Sequence, residues 1–108
     1  MNDLELAQKY VATAESAKSR NIEFTLSLTS YRNLMRSKKC FYTQVPFKNK
    51  GIYKRTIDRI DNKKGYIHGN VVACTQRINS MKNSWESQNL SLIDVEKVIN
   101  IVKKQTDF

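Results

Sequence analysis

Hydrophobic positions along this chain change their period several times, and each change marks an element. Leu4, Ala7, Tyr10, Val11, Ala14 and Ala17 recur every three or four residues, which predicts a helix from about Asp3 to Ser19. Asn2 or Asp3 caps its start and Asn21 follows its end. Ile22, Phe24, Leu26 and Leu28 then alternate with polar residues, as a half-buried strand or extended segment does. Thr29 or Ser30 is the expected cap of a short helix through Tyr31, Leu34 and Met35. Between Lys38 and Lys50 the chain is basic, aromatic and turn-rich, and holds its one proline, Pro46. Phe41, Tyr42 and Phe47 are read there as core rather than as stacking platforms for bases.

The middle of the chain carries the most organised pattern. Ile52, Tyr53, Thr56 and Ile57 form a short β-favouring run, Asp61, Asn62 and Gly65 form a turn, and Tyr66, Ile67, Val71 and Val72 form a second run. Cys74, Ile78 and Met81 then return to helical spacing and are expected to pack inward. The last helix, about 91–104, starts at Ser91 with Asp94 at its third position and Leu90 against Val95. Leu92, Val95, Val98, Ile99 and Val102 are its expected buried stripe, and Lys103 and Lys104 suit its negative end. Trp85 is expected to fill the gap between the last two helices.

A chain of 108 residues that is 40% hydrophobic has the size of one domain with a modest core. Charge adds more to the picture than size. The formal net charge is +9, but Arg32 to Lys82 holds thirteen Lys and Arg against Asp58 and Asp61, a local +11. The segments on either side are each slightly acidic. A basic surface confined to the central motif suits a polyanion, because neutralising phosphates releases counterions and supplies affinity independent of sequence. The charge reads phosphate and not sugar, so it suits DNA and RNA alike. No stretch approaches the run of about eighteen apolar residues that spans a bilayer, and the N-terminus lacks a signal pattern, so an intracellular protein without a membrane partner is expected. Cys40 and Cys74 are too few for a disulfide framework and read as buried thiols.

The stretch from Arg55 through Lys82 resembles the HNH, or ββα-metal, nuclease family. The residues that carry the resemblance are Asp58-Arg59-Ile60-Asp61, Gly65-Tyr66, Gly69-Asn70-Val71, Asn79 and Lys82, in the order of the small phage-type branch. Lead-in segments at Arg20 to Ser27 and Cys40 to Phe47 extend it over roughly residues 20–83. The implied architecture is a small single α+β domain, with a ββα finger at about 52–83 flanked by N-terminal and C-terminal helices at about 3–19 and 91–104. The implied function is a metal-dependent endonuclease acting on DNA phosphodiesters.

The resemblance implies that Asp58 and Asn79 reach one divalent ion, with Mg²⁺ or Mn²⁺ the natural match to hard carboxylate and amide oxygens. Asn70 takes the position that fixes the loop between the strands, and Lys82 is placed to hold a phosphate. Arg55, Arg59, Lys63, Lys64 and Arg77 complete the expected nucleic-acid contacts. Many relatives carry a structural zinc on two Cys-x-x-Cys pairs, whereas Cys40 and Cys74 each stand alone, so structural zinc is not expected. The departure from the family is at Arg59, where the general-base histidine normally follows the acidic residue. An arginine stays protonated and cannot act as base, although it can grip a phosphate. Two outcomes follow from that. Either the base is His68, the sole histidine, or a water, or the finger has lost cleavage and binds nucleic acid or a host protein as a regulator or inhibitor. The bland reading of His68 is an exposed turn residue, and that of Asp61 is a residue that shapes its own turn.

Overall fold

Helix α1 (Asp3–Ser19) begins where the Asn2 side chain accepts a hydrogen bond from the Glu5 N–H at 2.8 Å, satisfying one of the open donors of a helix start. The computed structural model describes residues 1–106 of the chain. α1 buries Leu6 and Ala17, with Tyr10 half-buried between them, and leaves Leu4 and Val11 exposed. The buried face is therefore rotated from the expected one, towards Leu6 and away from Leu4 and Val11. Tyr10 sets the rotation: its hydroxyl donates to the Leu26 carbonyl at 2.5 Å, and its ring meets those of Phe24 and Tyr31 edge-on at 5.4 Å each.

Residues 22–26 run extended, yet they join no sheet. Phe24 bridges Tyr66 in parallel, with the Tyr66 N–H donating to the Glu23 carbonyl at 2.8 Å and the Thr25 N–H to the Tyr66 carbonyl at 3.0 Å. Ala17, Leu26 and Tyr66 form the centre of the core, and Ile22, Phe24, Leu34, Ile57 and Val71 pack round it. Helix α2 (Leu28–Arg36) is capped by Ser27, ahead of the expected Thr29 or Ser30, and it buries Tyr31. Leu28 is therefore a helical, exposed residue rather than the end of the extended run.

Strands β1 (Arg55–Arg59) and β2 (Val71–Thr75) pair antiparallel with Asp58 opposite Val72. Both lie later in the sequence than the apolar runs suggested. Ile52 and Tyr53 precede β1, and Tyr66 and Ile67 precede β2, because Tyr66 is drawn into the bridge with Phe24. The basic segment ahead of β1 lies against the outer edge of β2 through the Phe41 N–H, which donates to the Ala73 carbonyl at 2.9 Å. The small Cys40 takes the inward position there and is fully buried, which turns Phe41 and Tyr42 to the exposed side, contrary to the core reading. Arg55 fastens this segment: its Nε and Nη2 donate to the Ser37 carbonyl at 3.0 and 2.6 Å, and its guanidinium lies 5.0 Å from the centre of the Phe47 ring.

Helix α3 (Gln76–Ser87) starts at Thr75, whose hydroxyl accepts from the Ile78 N–H. Cys74 belongs to β2, not to this helix, and Met81 is exposed. No α3 residue is buried, because the helix turns polar Asn79 and Lys82 towards the sheet. Trp85 lies within α3 and is half-buried. Helix α4 (Leu92–Thr106) has the expected cap, with the Asp94 N–H donating to the Ser91 hydroxyl at 3.1 Å. Its expected stripe is not core: Val95 is half-buried, while Leu92, Val98, Ile99 and Val102 are exposed. The result is a small α+β fold in which a ββα unit is backed by α1 and α2, with α4 standing apart from that core.

Candidate active site

Strand alternation splits β1 between two environments. Thr56 and Asp58 face α3, whereas Ile57 packs on the core cluster. The Asp58 carboxylate is 7% exposed, and its Oδ2 accepts from Tyr42 Oη at 2.7 Å and from Lys82 Nζ at 2.5 Å. The same ammonium donates to the Tyr42 hydroxyl at 3.0 Å and to the carbonyls of Arg59 and Ile60 at 3.1 and 3.3 Å. Asp58, Tyr42 and Lys82 thus form one charge-assisted cluster drawn from three distant parts of the chain. Burial opposes the charge on Lys82, but its bonds to Asp58 and Tyr42 outweigh that cost and raise its pKa. Tyr42 is also raised, by burial first and by the Asp58 carboxylate, with Lys82 pulling the other way.

Asn79 sits one turn before Lys82 on α3. Its Nδ2 donates to Thr56 Oγ1 at 3.2 Å, and the Thr56 hydroxyl donates in turn to the Cys74 carbonyl at 2.9 Å. Asp58 Oδ1 and Asn79 Oδ1 accept no hydrogen bond among the described residues. Both must touch solvent, since no fully buried side-chain oxygen or nitrogen there lacks a partner. Asp58 and Asn79, on a strand and a helix that face each other, are the residues that could offer a divalent ion hard oxygens. They do not make a dedicated cage: no group of three or more His, Cys, Asp or Glu is gathered among the described residues.

Asn70, 7% exposed, closes the loop between the strands. Its Oδ1 accepts from the Asp61 N–H at 2.9 Å, and its Nδ2 donates to the Asp61 and Gly65 carbonyls at 3.1 and 2.9 Å. Asp61 shapes the turn itself, accepting from the Lys63 N–H at 2.9 Å. Arg59 is spent on the same loop. Its Nη1 donates to the Asn62 and Lys64 carbonyls at 3.0 Å each, and its guanidinium lies 5.4 Å from the centre of the Tyr66 ring. Arg59 is therefore adjacent to Asp58 in sequence but on the other side of the strand, among loop and core groups.

His68 is exposed and lines an open groove of about 540 Å³ between α2 and the outer edge of β2, with Asn33, Lys39 and Gln44. Asp58, Asn79 and Lys82 do not line it. Of the expected phosphate contacts, Lys63, Lys64 and Arg77 are exposed, Arg77 reaching Tyr53 Oη at 3.3 Å. Arg55, Arg59 and Lys82 are engaged inside the fold. The sequence reading missed Tyr42 and Thr56. Thr56 reads only as part of a β-favouring run and Tyr42 only as core; a hydroxyl that needs a partner is the only signal for either.

Comparison with known proteins finds viral relatives. The chain is 34% identical over 79 residues to an uncharacterized 29.0 kDa protein of Enterobacteria phage T4, a match covering 72% of this chain and 32% of the relative. It is 35% identical over 78 residues to an uncharacterized protein of Acanthamoeba polyphaga mimivirus, covering 72% of this chain and 14% of that one. The chain therefore spans about a third of the first relative's length and about a seventh of the second's. No family model matches it. No solved structure matches it. Among the described residues no helix is long and apolar enough to cross a membrane.

Proposed function

We propose that the chain is a metal-dependent endonuclease of the HNH type, acting on DNA phosphodiesters inside a virus-infected cell. One observation carries the reading: Asp58 on β1 and Asn79 on α3 each present a free, solvent-touched oxygen on the same side of the hairpin. The most basic stretch of the chain surrounds them. Asp58 and Asn79 are the residues that would hold Mg²⁺ or Mn²⁺, which would supply Lewis-acid stabilisation of charge on the phosphate. Tyr42 and Lys82 fix the Asp58 carboxylate so that Oδ1 stays outward. Lys63, Lys64 and Arg77 supply exposed positive charge for the nucleic-acid backbone.

A second reading is favoured by a different observation. Lys82 already neutralises Asp58, and neither Arg59 nor His68 stands where a base is needed, which suits a fold that binds nucleic acid or a host protein without cutting. Supercoiled plasmid with Mg²⁺ or Mn²⁺ separates the two. Under the first reading wild type nicks the plasmid, and Asp58→Ala or Asn79→Ala abolishes nicking while duplex binding, with its steep salt dependence, survives. Salt-dependent binding by a wild type that stays inert with every divalent ion would select the second. Charge reversal at Lys63, Lys64 and Arg77 should weaken binding more than reversal at Lys97, Lys103 and Lys104.

A further inference from the structure

The open groove between α2 and the outer edge of β2 takes no part in the Asp58 cluster, yet its lining is selective. Its volume, about 540 Å³, falls within the roughly 300–1,000 Å³ of small-ligand sites, room for one nucleotide and not for a duplex. Leu26, Leu34 and Val71, which belong to the core cluster or pack on it, give it an apolar floor. Phe41 stands at its wall, 55% exposed, and the bond from its N–H to the Ala73 carbonyl at 2.9 Å fixes it there. The rim is polar and unengaged. Asn33, Lys39 and His68 are exposed, and their side chains make no hydrogen bond or ion pair among the described residues. Gln44 Nε2 is committed to the Cys40 and Phe41 carbonyls at 3.3 and 3.1 Å, which leaves Oε1 as an acceptor. No Asp or Glu lines the groove, and the chain from Phe24 to Ile57 holds eight Lys and Arg without one acidic residue.

We propose that this groove holds one unpaired nucleotide of a DNA strand, its base against the Phe41 ring and its phosphate against Lys39. An apolar floor with an aromatic wall matches the flat face of a base, and that face is free only when the base has left the stack. The amides and the imidazole suit the hydrogen-bonding edge that unpairing also frees, and an acid-free rim with an ammonium suits the phosphate. The groove also adjoins the candidate active site. The Phe41 ring meets that of Tyr42 edge-on at 5.3 Å, and the Tyr42 hydroxyl donates to Asp58 Oδ2 at 2.7 Å. A strand with one base on Phe41 therefore runs past Tyr42 towards the Asp58 carboxylate, which makes DNA with a bulge, flap or frayed end the substrate class. That choice of substrate rests on the nuclease reading, whereas binding by the groove does not.

A DNA duplex with a one-nucleotide bulge of 2-aminopurine, titrated with the full chain in EDTA, tests this without any cleavage. The fluorescence of the bulged base should change as it stacks, and affinity should exceed that for the unbulged duplex by about tenfold, the worth of one base–aromatic stack. Phe41→Ala and Asn33→Glu, both at exposed positions, should each cut the preference to about twofold or less and leave the circular dichroism of the fold unchanged. Equal affinity for bulged and unbulged duplex overturns the proposal, as does a preference that survives either variant. A bulge preference in a chain that cuts nothing with Mg²⁺ or Mn²⁺ would sink the nuclease reading and leave the groove's role standing. Plasmid nicking without any bulge preference would do the opposite.

Discussion

The two sides of the β1–β2 hairpin are built from neighbouring residues and follow opposite rules. On the side of α1 and α2, Ile57 and Val71 meet Leu26, Tyr66 and Ala17, and the gain is the removal of apolar surface from water. On the side of α3, Thr56, Asp58, Asn79 and Lys82 meet one another and Tyr42, and every bond is polar. Adjacent residues on one strand therefore have different fates: Asp58 enters a charged cluster while Arg59 becomes part of the loop and core. The difference teaches that the apolar side holds the hairpin in place so that the polar side can carry a carboxylate with little exposure. The first side is held by apolar burial, and the second by charge-assisted hydrogen bonds.

The strongest way to break that division is at the seam between the core and the loop. Gly65 lies so close to the Glu23 carbonyl and Cβ that an added methyl cannot fit without moving the backbone. Gly65→Ala is expected to cost about 3 kcal/mol in urea denaturation, since it parts the Phe24–Tyr66 bridge and with it the apolar side. Next comes Asn70→Ala, which strands the Asp61 N–H and the Gly65 carbonyl and leaves the Asp61 carbonyl with the Lys64 N–H alone. A loss of about 2–3 kcal/mol is expected, and hydrogen exchange should show the 61–70 loop opening before the strands.

On the polar side the effects are smaller because the cluster touches solvent. Lys82→Met leaves Asp58 with Tyr42 as its remaining partner and should cost about 2 kcal/mol, the worth of a hydrogen bond to a charged group, whereas Tyr42→Phe should cost about 1 kcal/mol. If Tyr42→Phe destabilised more than Lys82→Met, the cluster would not be organised by its ammonium. The pH dependence has a definite sign. Lys82 has a folded pKa above its ordinary 10.5, so its contribution is fully present below that value and is lost as pH rises above it. Wild type should therefore lose stability in alkaline solution more steeply than Lys82→Met, as followed by thermal melts across that range.

The sequence by itself determined the local elements and the loop chemistry. The bounds of α1, the Ser91 cap of α4, the order ββα and the Asp61 turn were all readable, because each depends on residues within one or two turns of each other. The side of each element that would be buried was not. Tyr10 rotates α1 onto Leu26, sixteen residues away, and Cys40 rather than Phe41 turns inward because its neighbour bonds to Ala73. The stripe of α4 has the pattern of a core and is exposed, since periodicity records that a face is apolar and not what covers it. Asp58 and Lys82 stand 24 residues apart and Tyr42 a further 16 upstream. Only tertiary packing, which closes those loops at once, could decide that Tyr42 and Lys82 share the buried Asp58 carboxylate.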